Sequence, residues 1–353
     1  MQFNFTEDQL LLQETVRDFL AGECDVEHVR GLWETETGRS PEFWRKFAEI
    51  GVPGLLVPEE RDGLGMNEIE FVRVLVEVGR AALAEPVVST AVVAVPLIRD
   101  CGHEELAAEW LPRIASGDAL VAVAQPTSPL VADVHVADLL IARSGDSLFA
   151  LPASEADATA QSSNDPSQKL FTIEFEPRDE WKIANGGPAN LLEAAALDRG
   201  ALASAAQQLG VCEQLIAMSV DYTTQRKQFG VPIGSFQAVK HQLADLQVAL
   251  EYARSLVERA AHSVAHDLPT RSVDVSVGKI SAGEAALSAA RTSLQVHGAL
   301  GYTWEQDLHV WMRRAWTLDL AWGETAWHRR RLAEALFEDT LPAESFGFTP
   351  LSA

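Results

Sequence analysis

Apolar residues recur at the 3.6-residue helical spacing through the first 118 residues, and helix-start chemistry punctuates them. Thr6 with Gln9 forms a capping box ahead of Leu10, Leu11, Val16, Phe19 and Leu20. Ser40 followed by Pro41 places an N-cap and a first-turn proline before Phe43, Trp44, Phe47 and Ile50, with Gly51 set to end that helix. A third helix is predicted over 67–79, after a short buried segment at 54–58 and a loop at 62–65. From 119 the pattern changes to short apolar runs parted by turn-formers, at 119–124, 137–142, 148–151 and 170–173, which read as strands. The stretch 155–168, rich in Ala, Ser, Asp and Asn, is too polar for a core and reads as a mobile loop. Helical spacing returns from 186, strongest at Phe236, Val239, Leu243, Leu246 and Leu250, with breaks at 230–232, 268–269 and 298–301. Four or five long helices are expected there, followed past Thr340 by a loosely held tail with Pro342, Gly347 and Pro350.

The pattern therefore predicts an α+β protein, mainly α: an N-terminal helical domain over 1–118, a small β domain over 119–185 and a C-terminal helical bundle over 186–353. With 353 residues and 47% hydrophobic content there is material for a large core, and a ligand cleft is expected where the β domain meets the bundles. Charge narrows the partners. Asp and Glu total 51 against 28 Lys and Arg, and the net −23 repels nucleic acid and anionic membrane surfaces, which call for basic patches. The first residues lack a basic and an apolar region, and the longest aliphatic stretch, 90–98, is broken by Pro96, so neither signal peptide nor membrane span is expected. Cys24, Cys101 and Cys212 are odd in number and far apart, which argues against disulfides or a metal site and for a reducing cytoplasm.

Two clusters carry candidate chemistry. Arg226-Lys-Gln-Phe-Gly230 lies where a helix gives way to a turn, so the Arg fork could grip a diphosphate while the Phe ring packs on a heterocycle. The plainer reading is a helix C-cap with Phe229 tucked into the core. Gln295-Val-His-Gly298, with Ala299 and Gly301-Tyr302 following, would let a ligand approach the backbone, or would be an ordinary helix-to-helix turn. Trp311, Trp316, Trp322 and Trp327 give one bundle face more tryptophan than a solvated helix needs, read either as an assembly surface or as core.

In this order the clusters resemble the acyl-CoA dehydrogenase family, as do Pro232-Ile233, Phe236-Gln237, Ala244-Asp245, Phe5-Thr-Glu-Asp-Gln9, the run from Gly51 to Glu59, and Gly63-Leu-Gly65. The resemblance implies α-β-α subunits that use FAD to oxidise an acyl-CoA thioester across its α and β carbons, with electrons leaving to an electron-transfer flavoprotein. It also implies a shared cofactor. One subunit holds the isoalloxazine, and a neighbour supplies the groups matched here by Arg226, Phe229, Gln295 and Gly298, with Gln237 near the cofactor. Ala299 stands where a Gly is common.

The sequence departs from the family where a subunit serves its own flavin. The Thr-Glu-Pro strand and its Gly-Ser-Asp are reduced to Ala124-Gln125-Pro126-Thr127-Ser128, and the Trp-Ile-Thr strand has no counterpart. Counting without a gap, the usual base falls on Trp322, and the alternative base position on Gly200 with Ala201 beside it. Glu324, one register step away, and Asp198, about 200° round a helix from Gly200, are the remaining carboxylate candidates. Plainer readings make Asp198 and Arg199 a helix-start charge pair and Glu324 a solvated carboxylate. Keeping the groups for a neighbour's FAD while losing the rest resembles the heteromeric acyl-CoA dehydrogenases of actinobacterial type, α2β2 tetramers with half the usual FAD sites that often act on steroid side-chain thioesters. The partner implied is a second, catalytic chain of the family.

Overall fold

The computed structural model describes residues 5–337; the tail past Thr340 lies outside them. Thr6 opens α1 (Glu7–Glu23) with both bonds of its capping box: its hydroxyl accepts from the Gln9 N–H at 3.2 Å, and the Gln9 side chain accepts from the Thr6 N–H at 2.9 Å. After α2 (Val26–Trp33), Ser40 caps α3 (Pro41–Glu49), whose Phe43, Trp44 and Phe47 are buried, Phe43 and Phe47 against Phe19. Then come α4 (Glu68–Arg80), α5 (Val95–Asp100) and α6 (Glu104–Ala115).

A π-helix, Val88–Ala94, precedes α5, and its Thr90 has a structural task. The hydroxyl donates to the Val121 carbonyl and accepts from the Val121 N–H, both at 3.1 Å. Val121 opens β1 (Val121–Val123), the outer strand of a four-stranded sheet ordered β1, β3 (Leu139–Ser144), β4 (Ser147–Pro152), β7 (Lys182–Asn185). A second sheet runs β2 (Val131–Ala132), β6 (Leu170–Glu174), β5 (Asp157–Gln161), antiparallel throughout.

β5 corrects the expectation for 155–168. Its five residues are all exposed, so no apolar alternation marks it, yet it pairs residue for residue with β6 from Asp157↔Glu174 to Gln161↔Leu170. The residues after it are pinned rather than loose. Asp165 and Ser167 are buried, the Trp33 indole donates to the Ser167 hydroxyl at 2.7 Å, and the buried Arg39 donates to the Ser167 carbonyl at 2.9 Å while pairing with Asp133.

Glu85 lies in the same neighbourhood, accepting from the Ser40 N–H at 2.9 Å, and burial pushes its carboxyl from 4.5 up to about 7. A raised folded pKa means the native state holds a proton the unfolded chain gives up. The stabilisation is complete below about pH 4.5 and disappears as pH rises through 7, on the order of 3 kcal/mol. Urea melts at pH 5 to 8 should show stability falling across that window, and Glu85→Gln should flatten the slope; an unchanged slope in the variant would assign it to other groups.

Five helices follow, within the four or five expected: α7 (Gly186–Gln225), α8 (Gln237–Ala265), α9 (Arg271–His297), α10 (Leu308–Leu320) and α11 (Thr325–Phe337). By Cα packing the chain divides into two compact units, one running up to Phe71 and resuming over Leu83–Ala203, the other built from Val72–Ala82 and the chain from Ser204 on. In the second unit, the C-terminal half of α4 crosses α7 backbone to backbone. A Cβ on Gly210 would overlap the Val76 carbonyl and come within 2.6 Å of the Arg80 nitrogen, and one on Gly79 would overlap the Gln207 carbonyl. The tryptophans divide between the two readings: Trp311 and Trp322 are buried, Trp327 is half-buried and Trp316 is exposed. No helix among the described residues is long and apolar enough to cross a membrane.

Candidate functional site

The Arg226 cluster forms a hairpin. Beyond the last turn of α7, β8 (Lys227–Gln228) pairs with β9 (Val231–Pro232), leaving Phe229 and Gly230 as a two-residue turn with φ of 53° and 82°. Positive φ at both central positions is the type I′ pattern, which favours Asn-Gly; a bulky residue in its first position is strained. Nor does Phe229 tuck into the core, as the C-cap reading required. It is 94% exposed, with its ring edge-on to Phe236 at a centroid distance of 6.3 Å. The ring is thus both apolar and exposed, on a backbone that its side chain disfavours.

The second cluster closes α9. Gly298 has φ 62° and ψ −139°, a backbone shape essentially reserved for glycine, and its N–H donates back to Gln295 and Leu294 carbonyls. Ala299 follows in a 3-10 turn, Gly298–Tyr302, and keeps a negative φ, so the missing glycine costs nothing there. The structure brings the two clusters together. Tyr222, one turn before Arg226, stacks on His297, one residue before Gly298, with centroids 4.3 Å apart and planes at 20°. Neither residue was singled out as functional from sequence; the signal available was an aromatic and an imidazole each within one helical turn of a motif.

Arg226, Gln295 and Gln237, the last opening α8, are all exposed, and among the described residues their side chains have no hydrogen bond or ion pair within the chain. The direction a Cβ would take from Gly298 or Gly230 is open space. An unpartnered guanidinium fork, two amides and an open glycine cradle on one surface are chemically suited to a diphosphate and its nucleoside.

The base positions give the opposite result. Trp322 is buried with φ 57°, followed by Gly323 at 97°. Its carbonyl accepts from His328 Nε2 at 3.0 Å, Thr325 donates to Asp319 at 2.5 Å, and the buried Lys279 donates to the Leu318 carbonyl. Burial, aided by the Lys279 charge, takes His328 down to about 3, so the ring that holds this turn is neutral. Glu324 is exposed at the foot of α11, where its carbonyl accepts from the His328 N–H at 3.0 Å. Asp198 is not part of a helix-start pair: it is buried twelve residues into α7, and Arg199 instead bonds Glu68 at 2.7 Å.

The chain is mainly helical, with two small sheets between its helical parts, an α-β-α order along the sequence. Comparison gives the family. Residues 6–118 match the acyl-CoA dehydrogenase N-terminal domain and 190–337 the acyl-CoA dehydrogenase C-terminal domain. Acyl-CoA dehydrogenase IpdE2 of Mycobacterium tuberculosis is 31% identical over 88% of this chain and 91% of its own length. Acyl-CoA dehydrogenase FadE27 of the same organism is 28% identical over 96% and 99%. A chain from the crystal structure of the ChsE4-ChsE5 complex of Mycobacterium tuberculosis superposes with a TM-score of 0.86 at 28% identity, covering 97% of this chain and all of that one. The protein belongs to the acyl-CoA dehydrogenase family, and FAD is its cofactor. The residues present fit the diphosphate and adenosine end of that molecule.

Proposed function

We propose that this chain is the non-catalytic subunit of a hetero-oligomeric acyl-CoA dehydrogenase, gripping the dinucleotide end of an FAD lodged mainly in a second family chain that supplies the base. One contrast carries the reading: Arg226, Phe229, Gln237, Gln295, Gly298 and Ala299 are exposed, and among the described residues the Arg226, Gln237 and Gln295 side chains have no polar partner, while Trp322, at the position counted to the base, is buried and held in its own turn.

FAD, when bound, accepts the hydride from the β carbon of the thioester. This chain's part is binding and orientation. Arg226 sets its fork against the diphosphate, Phe229 packs on the adenosine side, and Gln295 with the Gly298 backbone fixes the approach. Holding the far end of the cofactor limits how the ring system at the other end can tilt. No proton is assigned to this chain. Glu324, exposed at the start of α11, and Asp198, buried within α7, are left without a catalytic role in this reading. The turn over 124–130 also uses its own donors and acceptors: the Ser128 hydroxyl accepts from the Leu130 N–H at 3.1 Å, and Thr127 bonds the Gln125 side chain at 3.4 Å. That supports an isoalloxazine seated elsewhere. A relative found in a complex of two differently named chains is consistent with the proposed pairing. The substrate class is an acyl-CoA, with bulky steroid side-chain thioesters the first to try; the acceptor is an electron-transfer flavoprotein; three free cysteines suit the cytoplasm.

The test is flavin counting after co-expression with a full-length family member. The expected result is a colourless chain alone, a yellow complex with one FAD per two chains, and turnover unchanged by Glu324→Gln in this chain. A yellow homo-oligomer that bleaches with an acyl-CoA and dies on Glu324→Gln would replace the proposal with a self-sufficient dehydrogenase. A complex whose flavin ignores Arg226→Ala would reduce the chain to a scaffold.

A further inference from the structure

Arg226 and Gln295, which lead the two halves of the cofactor grip, are 69 positions apart in the chain, so something must hold their spacing. Tyr222 touches both sides of the gap. Its carbonyl accepts from the Arg226 N–H at 2.9 Å, tying it to the hairpin. Its ring lies on the His297 ring, and its hydroxyl donates to the His297 carbonyl at 3.3 Å, the peptide group leading into Gly298. His297 is fixed in turn: it is buried, and its Nδ1 donates to the Ser293 carbonyl at 2.7 Å. One turn further in, the Ser293 hydroxyl donates to the Leu215 carbonyl of α7 at 3.2 Å. The contacts form a ladder between α7 and α9 whose last rung is the Tyr222–His297 stack. Beyond that rung, Arg226, Gln295 and Gly298 are exposed. A rung placed there controls the one distance a rigid diphosphate-adenosine ligand would sense.

We infer that Tyr222 and His297 are positioning residues that set the separation of Arg226 from the Gln295–Gly298 turn, and so the affinity for the adenylate end of FAD. The inference rests on the proposed function, and the two can fail separately.

The experiment uses the co-expressed complex, stripped of flavin and titrated with FAD and with FMN, which carries the isoalloxazine and one phosphate but no adenylate. Tyr222→Leu is expected to weaken FAD about 5- to 10-fold, the range of an aromatic pair, and to leave FMN unchanged. Tyr222→Phe, which keeps the stack and loses the hydroxyl, should weaken FAD about 2- to 3-fold and guards against a folding failure of the leucine variant. Because Tyr222 acts through its neighbours, adding Tyr222→Leu to Arg226→Ala should change FAD binding little further. Equal weakening of FAD and FMN, or full additivity with Arg226→Ala, would mean a merely structural stack and overturn the inference. FAD binding untouched by Tyr222→Leu while Arg226→Ala weakens it would also overturn it and leave the proposed function standing. FAD binding untouched by either change would sink both.

Discussion

Arg226→Ala is expected to weaken FAD binding by the assembled complex about 30-fold or more, because a guanidinium bonded to a charged phosphate contributes on the order of 2 kcal/mol or above. The side chain is exposed and among the described residues has no hydrogen-bond or ion-pair partner, so the variant should fold and melt like the parent. That separation makes the measurement decisive. Fluorescence titration of the deflavinated complex reads the affinity, and a thermal melt reads the fold. Arg226→Lys keeps a charge but loses the planar fork, and should fall between the two. An FAD affinity unmoved by the alanine variant would remove the cofactor role from this hairpin, and with it the reason for the strained, exposed Phe229.

Gly210→Ala should have the largest effect on stability. The added methyl would overlap the Val76 carbonyl oxygen, and the second backbone at this crossing cannot rotate away as a side chain could. Forced repacking of this kind costs about 3 kcal/mol or more, a drop of roughly 4 °C or more in melting temperature, or a chain that does not accumulate. Gly31→Ala is the matched control. Gly31 sits inside α2 with open space where its methyl would go, so the substitution should raise stability by about 0.5–1 kcal/mol. Similar melting temperatures for the two variants would show that α4 and α7 are not packed as closely as described.

The helical parts were legible because their signals are local. Thr6, Gln9, Ser40 and Pro41 announce helix starts within four residues, and apolar spacing from Phe236 to Leu250 marks α8 directly. What escaped depended on distance or on absent contrast. β5 shows no alternation since both its faces are wet, and only the β6 backbone makes it a strand. Ser167 is held by Trp33 and Arg39, more than 120 residues upstream, which no window along the chain detects. In the site, the motif residues stood out as candidates, but their hairpin was not foreseen, since Phe-Gly is a poor composition for a type I′ turn. Asp198 was misplaced for a related reason: periodicity marked helical chain from 186 on without saying that one helix runs unbroken through 198 or that Glu68 waits for Arg199.

The two sheets treat their margins differently. At Val121 a single threonine hydroxyl takes both the N–H and the C=O that would otherwise greet a newcomer, so the four-stranded sheet is closed to growth on that side. β5 has no such stopper. Its outward backbone groups meet solvent over Asp157–Gln161, without a proline or a lysine to refuse an extended peptide. In a crowded cell, before any cognate chain arrives, that ribbon is the first part of the sheet region open to unwanted company.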